Sequence, residues 1–248
     1  MEHTEPRAVV RAAVFMAMEP FQSTEVTRFY LNGVCIEPHS RGAVLVATDG
    51  HKLAAVLDEG AYATGAAGIW TVPSAALKPL VTRAPKRKTP RDMDATLWCD
   101  LQKDRVRVVD AASPQQVLAG KGTEIGCLSD RFLIDGTFPE WTRVVPMEQS
   151  WKALNDVPNS FQARYVQQCA AFGAALRAAY GHAPSAAKDL SFPLTIRQTE
   201  EDGPARVFID RVPQAVIVLM PVRAFTPIAE ADWLIERINP PKELPKAA

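Results

Sequence analysis

Net charge is the first thing this sequence lacks. Its 248 residues hold 28 Lys and Arg against 28 Asp and Glu, so no global signature of a nucleic-acid binder is present, and contact with a polyanion must come from local arrangement. Cysteine is also scarce. Cys35, Cys99, Cys127 and Cys169 form no C-x-x-C pair and sit among apolar neighbours such as Val34-Cys35-Ile36. Buried free thiols are therefore expected, ahead of a metal site or disulfides. No apolar run approaches the ~20 residues of a membrane span. The start, MEHTEPRAVV, lacks the basic and apolar stretches of a signal peptide. The expectation is a cytoplasmic protein without membrane contact. Motifs for phosphate cradling, zinc or a nucleophile elbow are missing too. Asp49 and His51 lie two apart on an expected turn, and His39 and His182 fall in polar loops. With no such motif beside them, neither an enzyme nor a cofactor is expected.

What the chain does have is a repeated local order. At 47% hydrophobic and 23% charged, it can bury one large core or two smaller ones. Three times an Ala-rich helical stretch is followed by strands and polar turns. The first helix is predicted over residues 8–18, where Val9, Ala13 and Met16 share a face. Strands follow at 28–37 and 43–57, the latter broken by Asp49-Gly50, a strong hairpin signal. The second unit opens at Trp70-Thr71-Val72-Pro73 with a helix over 74–83 that Pro79 should shorten or kink. A polar loop over 84–94 precedes strands at 96–101, 105–110, 116–119 and 124–133. The third unit has the clearest helix, 161–180, with Tyr165, Cys169, Phe172 and Leu176 on one stripe, Asn159 or Ser160 as cap and Gly181 as stop. Strands at 190–198, 205–209 and 215–221 complete it. In a tail, Thr226-Pro227 begins a helix bearing Trp233, Leu234 and Ile238, stopped by Asn239-Pro240-Pro241. The pattern is α+β with antiparallel sheets.

Three segments go further. Arg28-Phe29-Tyr30-Leu31-Asn32-Gly33-Val34 followed by Val46-Ala47-Thr48-Asp49-Gly50-His51-Lys52-Leu53-Ala54 resembles the start of the middle domain of bacterial DNA sliding clamps, the β subunit of DNA polymerase III. Leu133-Ile134-Asp135-Gly136-Thr137-Phe138-Pro139-Glu140 through Arg143-Val144-Val145-Pro146 resembles that domain's end. Val218-Leu219-Met220-Pro221-Val222-Arg223 resembles the strand that closes the last domain. The resemblance implies the DNA-clamp fold, built of helix-plus-antiparallel-strand half-domains, here three units or about one and a half clamp domains. Residues 1–146 would be the middle domain, 147–224 the second half of the last, and 225–248 a tail that family clamps lack. The family's first domain has no counterpart, and residues 147–158 leave no room for the first half of the last domain.

The resemblance also implies a function: a processivity or recruitment factor that binds double-stranded DNA without sequence preference. Polymerase, clamp loader or repair proteins would insert a linear motif into an apolar pocket. Its residues here would be Thr48, Gly50, His51, Lys52, Leu53, Pro146, Val218, Met220, Pro221 and Val222, with Lys52 and Val222 standing where the family has Arg and Met. Candidate phosphate contacts are Arg7 and Arg11 on the first helix, Lys78 and Arg83 on the second, Arg164 and Arg177 on the third, and the cluster Lys86, Arg87, Lys88 and Arg91. A family ring holds six domains, so four chains of three half-domains would supply as many, and a homo-oligomer is expected. The alternative is a ringless interaction module, an adaptor or decoy for clamp-binding peptides. Tail residues could cover the pocket, dock on a neighbour or cap the open core.

Overall fold

The computed structural model describes residues 5–84, 96–147, 160–182, 190–198 and 203–222. In chain order they form β1 (Arg7–Arg11), α1 (Ala12–Ala17), β2 (Val34–His39), β3 (Gly42–Thr48), β4 (Lys52–Asp58), β5 (Tyr62–Thr64) and β6 (Gly68–Trp70). Then come α2 (Ser74–Arg83), β7 (Thr96–Leu101), β8 (Arg105–Ala111), α3 (Pro114–Leu118), β9 (Thr123–Ser129) and β10 (Leu133–Ile134). The last elements are α4 (Ala163–Ala179), β11 (Leu194–Gln198), β12 (Ala205–Ile209) and β13 (Ala215–Leu219). The strands make a five-stranded sheet, β5-β1-β7-β8-β9, and an eight-stranded sheet, β10-β6-β2-β3-β4-β13-β12-β11. The named ladders are all antiparallel.

Period-2 alternation sets which side of the large sheet each residue serves. Ala54, Val56, Ile217 and Leu219 face the main core, where Phe15, Met18, Phe21, Phe172 and Leu176 of the helical layer pack against them. Leu53, Ala55 and Val218 face the opposite side, with Val46 and Ile69. There the sheet is covered by two 3-10 turns, Val26–Leu31 and Trp141–Val144. The β4–β13 ladder pairs Leu53 with Val218 and Lys52 with Leu219. It carries the sheet unbroken from the first 146 residues into the last unit. On the helical side α4 supplies the stripe expected of it: Tyr165, Cys169, Phe172 and Leu176 are all buried. Phe172 packs edge-on to Phe21 at 5.0 Å. Each such large apolar side chain contributes about 1.5–3 kcal/mol on burial.

Several local expectations are corrected. Residues 7–11 are strand rather than helix, because Val9 and Val10 alternate between two cores and β1 completes ladders with β5 and β7. The strand expected at 28–37 begins only at Val34. The aromatic pair Phe29-Tyr30 belongs to the 3-10 turn, whose Leu31 carbonyl accepts from the Ser23 amide at 2.9 Å. Residues 116–118 are in α3 and Ala119 is its C-cap, so no strand forms there: Ser113 caps the start and Pro114 takes a first-turn position. The strand expected over 124–133 splits into β9 and β10, which join different sheets. Strand β11 begins at Leu194 and β13 ends at Leu219. Helix α4 starts at Ala163 behind Gln162, with no side-chain cap bond. Cys35, Cys99 and Cys169 are buried thiols, but Cys127 is exposed on β9. The tail and the 86–91 cluster lie outside the described residues.

Candidate functional site

Where β4 meets β13, on the face away from the helices, the structure forms a cleft of about 180 Å³. Its floor is the paired Leu53 and Val218. One wall is the β3–β4 turn. Thr48 Oγ1 donates to the Lys52 carbonyl at 2.8 Å and accepts the Gly50 amide at 3.1 Å. Asp49 Oδ1 accepts the amides of His51 and Lys52, both at 2.9 Å. Gly50 at φ 88° lets the chain reverse there. The His51 carbonyl then accepts the Met220 amide at 2.9 Å, which ties the turn to the strand leaving the last unit. Of the ten residues expected in the pocket, seven line this cleft: Thr48, Gly50, His51, Lys52, Leu53, Val218 and Met220.

Pro146, Pro221 and Val222 do not line it. Pro146 is buried past the end of the second 3-10 turn, and the Val222 amide is turned to the Ser160 carbonyl at 2.8 Å. The opposite wall comes instead from Leu31 and from Pro139, Glu140, Trp141 and Val144. Their signal was in the sequence: in a 3-10 turn residues three apart eclipse, so Trp141 and Val144 share a face. Trp141 Nε1 donates to Glu37 Oε1 at 3.1 Å, which anchors that wall to β2. Lys52 contributes without presenting its charge. Only 5% exposed, its ammonium pairs with the Asp49 carboxylate and lies 4.8 Å from the Tyr165 ring and 5.8 Å from Phe21.

The expected phosphate contacts divide sharply. Arg7 and Arg11 belong to β1, not to a helix. Arg7 pairs with buried Asp100 at 2.9 Å, and Arg11 with buried Asp58 while stacking on Trp98 and Tyr180. Burial pushes the Asp100 carboxyl up, but bonds from Arg7 and Arg107 outweigh it and hold the group below the ordinary range. At Asp58 burial prevails over Arg11 and the carboxyl is raised. Arg177 bonds the Asp210 carboxylate at 2.9 Å. Arg164 bonds Gln162 and Tyr165 at the start of α4. Lys78 and Arg83 are exposed on α2 and make no ion pair within the described residues. Lys86, Arg87, Lys88 and Arg91 lie outside them. Among the described residues no three His, Cys, Asp or Glu side chains are grouped to hold a metal, and no helix is long and apolar enough to cross a membrane.

No protein-family model matches the chain. The beta sliding clamp of Caulobacter vibrioides is 36% identical to it over 132 residues, which is 52% of this chain but 30% of that protein. Among solved structures, the sliding clamp of Bartonella birtlesii bound to griselimycin superposes with a TM-score of 0.52 at 19% identity, covering 88% of this chain and 66% of that one. The sliding clamp of Pseudomonas aeruginosa gives 0.52 at 15% identity, with 88% and 66% covered. That of Bacillus subtilis gives 0.50 at 13% identity, with 90% and 65% covered. The sequence match thus spans under a third of the curated relative, and the fold match about two thirds of the solved clamps. The chain is similar in sequence to a bacterial β sliding clamp over about half of its own length and shares the fold of solved clamps over part of theirs.

Proposed function

We propose that this protein is a non-catalytic DNA-replication or repair platform. Its β4–β13 cleft takes the linear motif of a polymerase, clamp loader or repair protein. One observation carries the reading: three segments far apart in sequence, 48–53, 139–144 and 218–220, converge on a single apolar slot. At about 180 Å³ it is smaller than the ~300–1,000 Å³ of small-molecule sites. It suits an anchoring side chain or two of an extended peptide, with the rest lying across the surface. Leu, Val and Met make such a slot adaptable to varied partners. DNA would meet the helical side through phosphate contacts from Lys78, Arg83 and Arg164, giving weak, salt-sensitive, sequence-independent binding.

The test is titration of the chain with the replicative DNA polymerase of its own host. Binding is expected, and Val144→Glu should abolish it. Val144 is 45% exposed, so the change should cost the fold within about 0.5 kcal/mol. Equal binding by the variant would sink the cleft reading. A second reading, a ringless adaptor or decoy, draws on the ion pairs that occupy Arg7, Arg11 and Arg177. They occupy three of the expected phosphate contacts with carboxylates of the same chain.

A further inference from the structure

The slot opens onto a wider apolar surface. Of the seven large apolar side chains exposed among the described residues, four (Val26, Phe29, Val144 and Met147) stand on or beside the two 3-10 turns that flank it. Such clustering marks a contact surface, where scattered exposure would not. Phe29 is the largest of the four. Its ring meets Tyr30 edge-on at 5.8 Å and lies over Gly136, where a Cβ would stand 3.4 Å from it. Half of the residue stays exposed. Leu31, two residues on, lines the slot, as does Pro139, three residues past Gly136. Three residues span at most ~11 Å, so the ring adjoins the slot and is not a separate site. On the other side of the hairpin the surface is polar, lined by Glu19, Gln22, Asp49, Gln162 and Arg164 among others. Charge beside the apolar surface is compensated. Arg28 pairs with Glu25 at 3.3 Å, and Lys52 pairs with Asp49. Glu140, in the slot wall, accepts from the Thr142 hydroxyl and has Arg143 in the same turn. The surface between slot and ring therefore selects by apolar contact and not by charge.

We infer that the partner's motif carries a second bulky apolar side chain, which packs on the Phe29 ring over Gly136 while the first fills the β4–β13 slot. The inference rests on reading the slot as a peptide site and adds the spacing of the motif. Its two apolar positions are about three residues apart in an extended segment, with no charge required between them. The slot alone, at about 180 Å³, accepts many apolar side chains. The second contact is what separates a true motif from any exposed apolar residue.

The experiment selects a displayed random peptide library on the full chain and measures the enriched peptide by fluorescence anisotropy. Wild type should enrich two apolar positions about three residues apart. Ala at the second of them should weaken binding to wild type about tenfold, and Phe29→Ser should weaken the intact peptide as much. The two changes together should cost no more than either alone, because both remove one contact. Phe29→Leu, which keeps an apolar side chain against Tyr30, is the second variant and should lose less. Affinity should move less than about twofold between low and high salt. A motif with a single apolar position overturns the inference and leaves the slot standing. So do additive effects of the peptide and protein changes, and so does a steep salt dependence. A wild type that enriches no motif contradicts the slot itself, so the two failures are distinct.

Discussion

Lys52 shows how a side chain can belong to a site without facing it. It occupies a lining position, and the family resemblance puts Arg there, so loss of a planar fork would be read as a weaker slot. In the structure its ammonium instead pairs with Asp49 inside the hairpin and joins that hairpin to α4 through the Tyr165 ring, with the Phe21 ring beside it. The substitution therefore bears on the junction between units, not on what the cleft contacts. Asp100 is the complementary case, a buried carboxylate taking Arg7 and Arg107 together. Replacing it by Asn leaves two arginines short of their anion and should cost about 3–5 kcal/mol at neutral pH, measured by urea unfolding. The sign of the pH dependence follows from its lowered pKa. The contribution is present above the unfolded value near ~3.9 and is lost as pH falls through the lower folded value. The gap between wild type and Asp100→Asn should therefore narrow below about pH 4. A gap that stays constant down to roughly pH 2 would contradict the assignment.

At the scale of elements, two turns carry the large sheet. Gly42, the first residue of β3, has φ 144°, and a Cβ there would lie 2.2 Å from the Asp58 carbonyl oxygen, backbone that cannot retreat. Gly50 has φ 88°, but its Cβ would meet only the far end of the Arg28 side chain. Gly50→Ala should thus cost about 1–2 kcal/mol and Gly42→Ala distinctly more, seen as an ordered pair of melting temperatures. The reverse order would show that the β2–β3 turn has room the structure denies it. Much of this level was legible in the sequence. Asp49-Gly50 marks the hairpin, the Tyr165-to-Leu176 stripe marks α4, and Trp70-to-Arg83 marks α2. What misleads is ambiguity of local pattern. Ala-rich residues 8–18 satisfy helical spacing as well as alternation, and only the ladders with β5 and β7 decide. Seven lining residues were legible through their motifs. Pro139 was missed for Pro146 because nothing local says which proline of that segment faces the slot.

For the whole molecule, the decisive feature is the unbroken eight-stranded sheet. By pairing β13 directly with β4, the chain builds the slot from units that lie far apart in sequence. Among the described residues β9 and β11 pair on one side only. Such free edges are where another strand can add. If copies close a ring, native mass spectrometry should give one closed oligomer, and covalently closed circular DNA should retain it after linear DNA has released it. A monomer that leaves both DNAs alike would favour the ringless adaptor. Either outcome keeps the slot, on which everything else depends. It is probed most directly by selecting a random displayed peptide library on the full chain, with Val144→Glu as counter-target. The wild type should enrich one short apolar motif, and the variant none. The same motif enriched on both proteins, or none on either, would contradict the slot.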